Sequence, residues 1–203
     1  MSNANQFPLL SGHLSLDLVN TEVVRRGVRH DLLTLKEDLF QWLKTMQEIG
    51  SIRPEQIAYE TEDWLEQALD SIKFLRAFLR EGFERIADGY QVSDEWSSHL
   101  EMLIAKAPFS FRLIDEKLVA IPIGEPLDIL ISLIAFDALN LHATGELGSL
   151  KRCANLDCVL LFIDLSGRRK WCSMQICGNR KKVARFQNRN GKRSKERDKR
   201  DNP

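Results

Sequence analysis

Cysteine is scarce in this chain: there are four among 203 residues, and the first 152 residues contain none. Any site built from thiols therefore has to lie in the last quarter of the sequence. Histidine is equally scarce, and the four histidines are scattered without the His-x-x-His or His-Glu spacing that a second metal site would need. A glycine-rich phosphate loop and a Gly-x-Ser-x-Gly motif are also missing, so we expect the protein not to be an enzyme.

The N-terminal sequence lacks the features of a secretory signal. The stretch "MSNANQFPLLSGHLSLDLV" has no basic start, no unbroken apolar stretch and no small-residue cleavage site. The longest apolar segment, residues 126–145, is interrupted by four polar or charged residues, which favours a buried core helix over a membrane span. We therefore expect a cytoplasmic protein without a membrane span. In that reducing compartment, clustered cysteines bind metal more often than they form disulfides.

Charge divides the sequence into two parts, although the formal net charge is zero. Residues 151–203 contain 16 Lys and Arg against 5 Asp and Glu, a balance of +11, and the preceding residues contain 13 against 24, a balance of −11. Such a division suggests an acidic body and a basic end that suits a phosphate-rich partner. The sequence "GSLKRC" is typical of a linker, and we expect a body over residues 1–147, a small module over residues 148–190 and a disordered basic tail over residues 191–203.

The body is predicted to be mainly α, with an α+β fold, because its apolar residues recur mostly with the helical period. Apolar and polar residues instead alternate on both sides of Asp115-Glu116-Lys117, which predicts one β-hairpin over residues 109–123. The leucines near position 14 alternate as well, but their spacing also fits a helix, which we favour. The predicted helices are a short one near Leu14, one with a Thr34-x-x-Glu37 capping box that ends near Gly50, one from Pro54 to Gly89, one from Ser93 to Lys106 and one from Pro126 to Gly145.

The four cysteines have the spacing C-x4-C-x13-C-x4-C, at positions Cys153, Cys158, Cys172 and Cys177. Two close pairs separated by a middle segment are typical of a tetrahedral four-cysteine zinc site, in which each pair forms a tight turn at the ion. A segment of about 50 residues buries too little apolar surface to fold alone, and a structural metal supplies the missing stability. A disulfide pair, four unrelated core thiols and an iron-sulfur cluster are the alternatives. We favour one structural zinc ion per chain.

The segment between the cysteine pairs, "VLLFIDLSGRRKW", predicts a β-hairpin. Residues 159–163 form its first strand, Ser166-Gly167 its turn and residues 168–171 its return strand. The module is therefore expected to consist of this hairpin and of a C-terminal helix, for which Asn179 is a good N-cap.

Basic residues dominate that C-terminal helix, which is expected to start directly after Asn179. Six of them are predicted to contact nucleic acid: Arg180, Lys181, Lys182, Arg185, Arg189 and Lys192. Each contact with a phosphate would add affinity that salt removes. The alternative is a solvated basic tail, and charge alone does not distinguish DNA from RNA or from an acidic protein.

Two stretches of the chain resemble known families. The run "RCANLDCVLLFIDLSGRRKWCSMQICGNRKKVARFQNR", with its Cys-Gly-Asn-Arg tetrapeptide, resembles the CGNR zinc finger. The stretches "GHLSLDLVNT" and "DLLTLKEDLFQWL" resemble the start of the ABATE domain, which precedes this finger in a bacterial family described as stress-induced transcription regulators. The resemblance covers nearly the whole chain. It implies that the four cysteines are zinc ligands and that the finger binds DNA.

Three polar residues, Asp17, Asn20 and Thr21, interrupt the apolar segment "LDLVNTEV". Their spacing allows them to converge on a pocket for an unknown small-molecule or protein effector. The alternative is that Asp17 and Asn20 satisfy nearby backbone groups at a helix end or pair with Arg25 or Arg26. We therefore expect a DNA-binding transcription regulator whose N-terminal domain senses a signal, and a homodimer would increase its affinity. A zinc-scaffolded adaptor that binds RNA or another protein is the alternative.

Overall fold

The computed structural model describes residues 7–57 and 63–179. Within these ranges the chain forms five α-helices and six short β-strands, so the predicted mainly α, α+β class is confirmed. The helices are α1 (Leu14–Val19), α2 (Lys36–Glu48), α3 (Asp63–Ala87), α4 (Asp94–Lys106) and α5 (Pro126–Ala143). The strands are β1 (Glu22–Arg25), β2 (Val28–Asp31), β3 (Phe109–Ile114), β4 (Lys117–Pro122), β5 (Leu150–Arg152) and β6 (Leu161–Ile163).

Helix α5 lies at the centre of the hydrophobic core and packs against α4, α1 and α3. As predicted, Pro126 is its first residue, and Gly145, with a φ of +79°, follows its C-terminal cap. The length and apolar composition of α5 would also suit a membrane span. Core helices pass the same test, and the packing of α5 against three other helices agrees with the predicted core helix.

The helix starts confirm one predicted cap and correct another. At α4, the Ser93 hydroxyl accepts a hydrogen bond from a first-turn backbone N–H at 3.2 Å, as predicted. At α2, the predicted Thr34-x-x-Glu37 box is wrong by one residue. The Asp38 carboxylate accepts from the N–H groups of Thr34 and Leu35, each at 2.9 Å. Either acidic residue fits the motif, and the helix uses the one that lies three residues after its N-cap, Leu35.

The segment after α2 departs from the continuous helix that was expected from Pro54 onward. Pro54 begins only a short 3-10 turn, Pro54–Gln56, and Ile57 is extended with a φ of −148°. The Gln56 side chain donates a hydrogen bond to the Ala120 carbonyl of β4 at 2.9 Å. This contact ties the turn to the β3–β4 hairpin, and α3 is a separate helix.

Within its described residues the body has two hairpins, and the sequence pattern predicts one of them. β3 pairs with β4 in the predicted hairpin, with Phe111 opposite Ala120. β1 pairs with β2 through the two-residue turn Arg26-Gly27, whose φ angles are 53° and 79°. Two positive φ angles match the twist of a hairpin, but the turn lacks the Asn or Asp that usually precedes the glycine. The β1–β2 hairpin therefore has no strong signal in the sequence.

The C-terminal module has a different hairpin from the predicted one. β6 pairs antiparallel with β5 and not with residues 168–171. The physical reason is burial, because Leu150 and Leu161 both enter the core of the body, whereas residues 168–170 are charged and exposed. The first cysteine pair consequently lies in the loop that joins β5 to β6.

Candidate metal centre

The four cysteines form one cluster. Their Sγ atoms lie within 4.8 Å of one another, and three of the four side chains are buried. The Sγ atoms of Cys158 and Cys172 are 3.8 Å apart, and all four cysteines are free of disulfides. In a tetrahedral site with metal–sulfur bonds of about 2.3 Å, neighbouring sulfurs are about 3.8 Å apart. The donor set therefore fits a zinc ion.

Backbone hydrogen bonds shape the loop that contains the first cysteine pair. Cys153 directly follows β5, and its N–H donates to the Leu160 carbonyl at 3.2 Å. The Cys158 N–H donates to the Asn155 carbonyl at 2.8 Å and closes the turn. The Asn155 side chain also points its amide at the Sγ of Cys177, at 3.6 Å. Asn155 thus stabilises the loop of the first pair and contacts a sulfur of the second.

The second pair lies at a short helical turn, Met174–Gly178, with Cys172 two residues before the turn and Cys177 within it. Ser173 caps the turn, because its hydroxyl accepts from the Ile176 N–H at 2.9 Å, and its carbonyl accepts from the Cys177 N–H at 3.1 Å. A Cβ on Gly178 would lie 2.5 Å from the Met174 sulfur, so glycine leaves room for that side chain. Asn179 has helical angles (φ −68°, ψ −37°) and continues the turn. The prediction that Asn179 is the N-cap of a helix starting at Arg180 is therefore wrong, because an N-cap residue has non-helical angles.

Hydrogen bonds among the thiols separate their pKa values. Hydrogen bonds from the Cys158 and Cys172 thiols, together with one from the Cys172 N–H at 3.4 Å, lower the pKa of Cys153 to about 2. Their hydrogen bonds to the Cys153 thiolate raise the pKa of Cys158 to about 12 and also raise that of Cys172. These shifts favour a thiolate at Cys153 and protonated thiols at Cys158 and Cys172, whose protons metal binding would release.

Asn20 of the body takes the place of a strand partner for β6. Its side-chain amide donates to the Leu161 carbonyl at 2.9 Å, and its side-chain oxygen accepts from the Leu161 N–H at 3.0 Å. On β5, the Arg152 guanidinium donates to both carboxylate oxygens of Asp88, at 2.7 and 2.9 Å. The hairpin next to the cysteines is thus fixed to the body by side-chain contacts at the C-terminal ends of α1 and α3.

Arg80 of α3 is a second buried link between the body and the cysteine module. Its guanidinium donates to the carbonyls of Val19 and Val159, and its Nε lies 2.6 Å from the Glu22 carboxylate. Burial lowers the pKa of Arg80, and the charge of Glu22 opposes this shift. Sequence reasoning missed this residue, although an arginine among the apolar positions of a long helix is a signal for a buried ion pair.

Comparison with protein families accounts for both parts of the chain. Residues 12–145 match the ABATE family model, described as "Putative stress-induced transcription regulator". The chain belongs to the ABATE family. Residues 149–190 match the CGNR zinc finger and include all four clustered cysteines. Both memberships inferred from the sequence motifs are thereby confirmed. A search of curated proteins finds no match.

In the ABATE body, the three residues predicted to form an effector pocket are buried and hydrogen-bonded within the fold. The Asp17 carboxylate accepts from the backbone N–H groups of residues 10–12, at 3.1 to 3.2 Å. Asn20 binds β6, as described above. The Thr21 hydroxyl accepts from the Arg76 guanidinium at 2.8 Å. All three side chains thus make their hydrogen bonds within the protein, which favours the alternative to an effector pocket.

The nucleic-acid-binding residues predicted for the CGNR finger lie outside the described residues: Arg180, Lys181, Lys182, Arg185, Arg189 and Lys192. The described part of the finger carries other cations. Arg168, Arg169 and Lys170, which we call the basic loop, are all exposed. They were interpreted from the sequence as part of a return strand. Three consecutive cations after a Ser-Gly turn are the signal that would have identified them.

The basic loop is held in a defined conformation. The Asp164 carboxylate accepts from the N–H groups of Ser166 and Arg169, at 3.1 and 2.7 Å. The Arg169 guanidinium lies 4.3 Å from the centre of the Phe162 ring, where it makes a cation–π contact. Within the described residues, the other two cations of the loop form no ion pair. One arginine therefore anchors the loop, and its two neighbours are available to a ligand.

Proposed function

We propose that this ABATE protein is a DNA-binding transcription regulator, cytoplasmic and not an enzyme, whose CGNR finger contacts DNA phosphates through the basic loop. One observation carries the proposal: Asp164 and Arg169 order this loop, while Arg168 and Lys170 remain exposed. Cations held in a fixed position without an acidic partner can bind phosphate oxygens, and each contact releases counterions from DNA. The +11 balance of residues 151–203 supports the same partner.

We further propose that one zinc ion per chain binds Cys153, Cys158, Cys172 and Cys177 and that its role is structural. Four thiolates complete a tetrahedral shell, which leaves no open position for a reacting water molecule. The second cysteine of the set precedes the basic loop in the sequence, and the third follows it after Trp171. The ion would therefore fix both ends of the segment that presents the loop to DNA.

Reversing the charge of the two free cations is expected to weaken DNA binding. The double variant Arg168→Glu/Lys170→Glu should lower the slope of log affinity against log salt by about 2, because two phosphate contacts are lost. Its dissociation constant for duplex DNA should rise at least about tenfold at moderate salt. Fluorescence anisotropy with labelled duplex DNA over a series of salt concentrations measures both quantities.

The matched control is Lys44→Glu/Lys106→Glu, which makes the same charge change at two exposed lysines of the ABATE body. It should retain most of the salt slope. Equal losses in the two double variants would show that only net charge matters and would contradict a DNA site at the basic loop. Competition with structured RNA and heparin tests the adaptor alternative, and equal affinity for all three polyanions would contradict specific DNA binding.

We also propose that the signal acts at a cavity of about 470 Å³ between the ABATE body and the finger. The body contributes residues 7–10 and part of β1, and the finger contributes Leu160, Gln175 and Ile176. This volume is in the range of small-molecule sites. Because both parts line the cavity, a bound ligand would change the contact between them and, through it, the position of the basic loop.

Filling the cavity should uncouple signal from DNA binding. Val23 of β1 is buried and lines the cavity. The variant Val23→Phe is expected to retain DNA affinity within about threefold. A reporter gene placed behind a selected binding site should, however, no longer change its expression in response to the ligand or to stress. Val28→Phe, at an exposed position of β2 that does not line the cavity, serves as the control. A Val23→Phe protein that still responds to stress would contradict this location of the sensor.

A further inference from the structure

Strand β3 presents an exposed apolar surface. Phe111 and Leu113 are 65% and 75% exposed, and Leu118 on β4 is 69% exposed. Leu113 lies opposite Leu118 in the hairpin, so both are on the same face as Phe111, two residues along the strand. The surface continues to Phe136 of α5, whose ring centre lies 4.8 Å from that of Phe109. We call these five side chains the apolar face.

The backbone of β3 presents hydrogen-bonding groups beside the apolar face. The Ala120 carbonyl points away from β3, because it accepts from the Gln56 side chain. Ala120 is opposite Phe111, so their pair is of the non-hydrogen-bonded type, and the backbone groups of Phe111 point away from β4. The same holds for Phe109 and Leu113, which lie two residues away. Among the described strands, none pairs with this edge.

Exposed strand edges in soluble proteins usually carry charged residues, prolines or bulges that prevent pairing. The three residues whose backbone groups point outward from β3 are two phenylalanines and a leucine. The charged residue of the strand, Arg112, lies on the opposite face. The edge of β4 is different, since the turn Pro54–Gln56 contacts it. The hairpin therefore has one protected edge and one open edge.

We propose that β3 pairs with β3 of a second copy of this chain, antiparallel about a twofold axis at Phe111. In this register Phe111 faces its own copy, and Phe109 faces Leu113. The outward backbone groups of all three residues then form about six hydrogen bonds between the chains. On the other face Ser110 is opposite Arg112, so like charges do not meet. The strand is thus complementary to itself, and the two hairpins form one four-stranded sheet.

The size of the apolar face agrees with a dimer. Its four exposed side chains offer roughly 450 Å² of apolar surface per copy. A standard interface buries about 800 Å² per partner, of which a little more than half is apolar. The twofold pairing also uses the open edge of both hairpins at once, so assembly stops at two copies instead of continuing as a fibre.

The dimer proposal does not depend on DNA binding. Where the DNA proposal also holds, the dimer brings two basic loops to one duplex, and the second loop binds at a high local concentration. Failure of the dimer alone would leave the basic-loop experiment unaffected. Failure of DNA binding would likewise leave the measurement of molecular mass unaffected.

Sedimentation equilibrium of the purified full chain tests the proposal. The unmodified chain is expected to sediment with twice the monomer mass. The variant Leu113→Glu should raise the dissociation constant of the dimer at least about 100-fold, because a carboxylate would be buried against Phe109 of the second copy. The control is Leu165→Glu in the finger, where the leucine is equally exposed at 75%. This variant should remain dimeric.

Amide hydrogen exchange separates strand pairing from contact of the side chains alone. The N–H groups of Phe111 and Leu113 should exchange at least about tenfold more slowly at concentrations at which the dimer forms. A monomeric unmodified chain would overturn the proposal and point to another protein as the occupant of the edge. A dimer that withstands Leu113→Glu, or one whose β3 amides gain no protection, would also overturn it.

Discussion

Cys172→Ser is expected to unfold the CGNR finger while the ABATE body stays helical. Binding of a structural zinc ion contributes on the order of 10 kcal/mol to the folding of small metal modules. A small hydrophobic cluster, separate from the core around α5, joins the described finger to Val23 of the body, and three of the cysteines belong to it. Without the ion, this segment loses both its cross-link and part of its packing, whereas the core around α5 is built from other residues.

Elemental analysis and hydrogen exchange measure the two parts of this prediction. Zinc content should fall from about one per chain to near zero, and amides over residues 150–179 should lose protection while those of α3 and α5 retain theirs. Treatment of the unmodified protein with a chelator should have the same effect, and added zinc should reverse it. Substitution with Co²⁺ provides an absorption spectrum that reports tetrahedral thiolate coordination.

Met174→Ser is the matched control for the cysteine variant. It removes a sulfur side chain that is half exposed and lies two residues from Cys172, outside the cluster. Zinc content should be unchanged in this variant. A finger that keeps its amide protection after complete removal of the metal would contradict the structural role of zinc.

Arg80→Met is expected to cost about 3–5 kcal/mol in the free energy of unfolding. The substitution removes the close partner of the Glu22 carboxylate, which keeps only Arg29 at 4.0 Å, and it removes hydrogen bonds to the Val19 and Val159 carbonyls. These groups are largely shielded from water, so solvent replaces the lost contacts poorly. Urea unfolding followed by circular dichroism measures the change.

The Arg80 prediction also extends to the metal. Because Val159 directly follows Cys158, loss of the Arg80 contact should increase the rate of zinc release to a chelator at least about tenfold. Arg85→Met, on the exposed side of the same helix, should change stability by less than about 1 kcal/mol. The double variant Arg80→Met/Glu22→Leu should recover part of the loss, since it removes both charges. Equal effects of Arg80→Met and Arg85→Met would contradict the assigned role.

Local features of the sequence predict the local features of the fold. The cysteine spacing predicts the cluster, because each pair closes its own short turn. The apolar period predicts the helices, and Pro126 and Ser93 mark two helix starts correctly. The cap of α2 is misplaced by one residue because Glu37 and Asp38 both satisfy the motif, and only the backbone geometry selects between them.

Long-range contacts account for what the sequence does not predict. β6 pairs with β5 because Leu150 and Leu161 are buried together in the core of the body. The turn residues within the finger give no information about that core. Arg80 contacts backbone groups 61 and 79 residues away along the chain. The polar segment around Asn20 suggests a binding pocket from spacing alone, yet its partner is a strand of the finger, 141 residues later.

The Asn20–Leu161 pair means that the finger is not a portable unit. A fragment that began at residue 149 would keep its four cysteines but would expose the outer edge of β6, where the peptide groups of Leu161 have their partner in another part of the chain. Grafting this finger onto an unrelated body would require that body to supply an equivalent amide at the same place. A substitution of Asn20, or a shift of β6 at Leu161, would therefore require a compensating change in the other segment, because the two form one hydrogen-bonded structure.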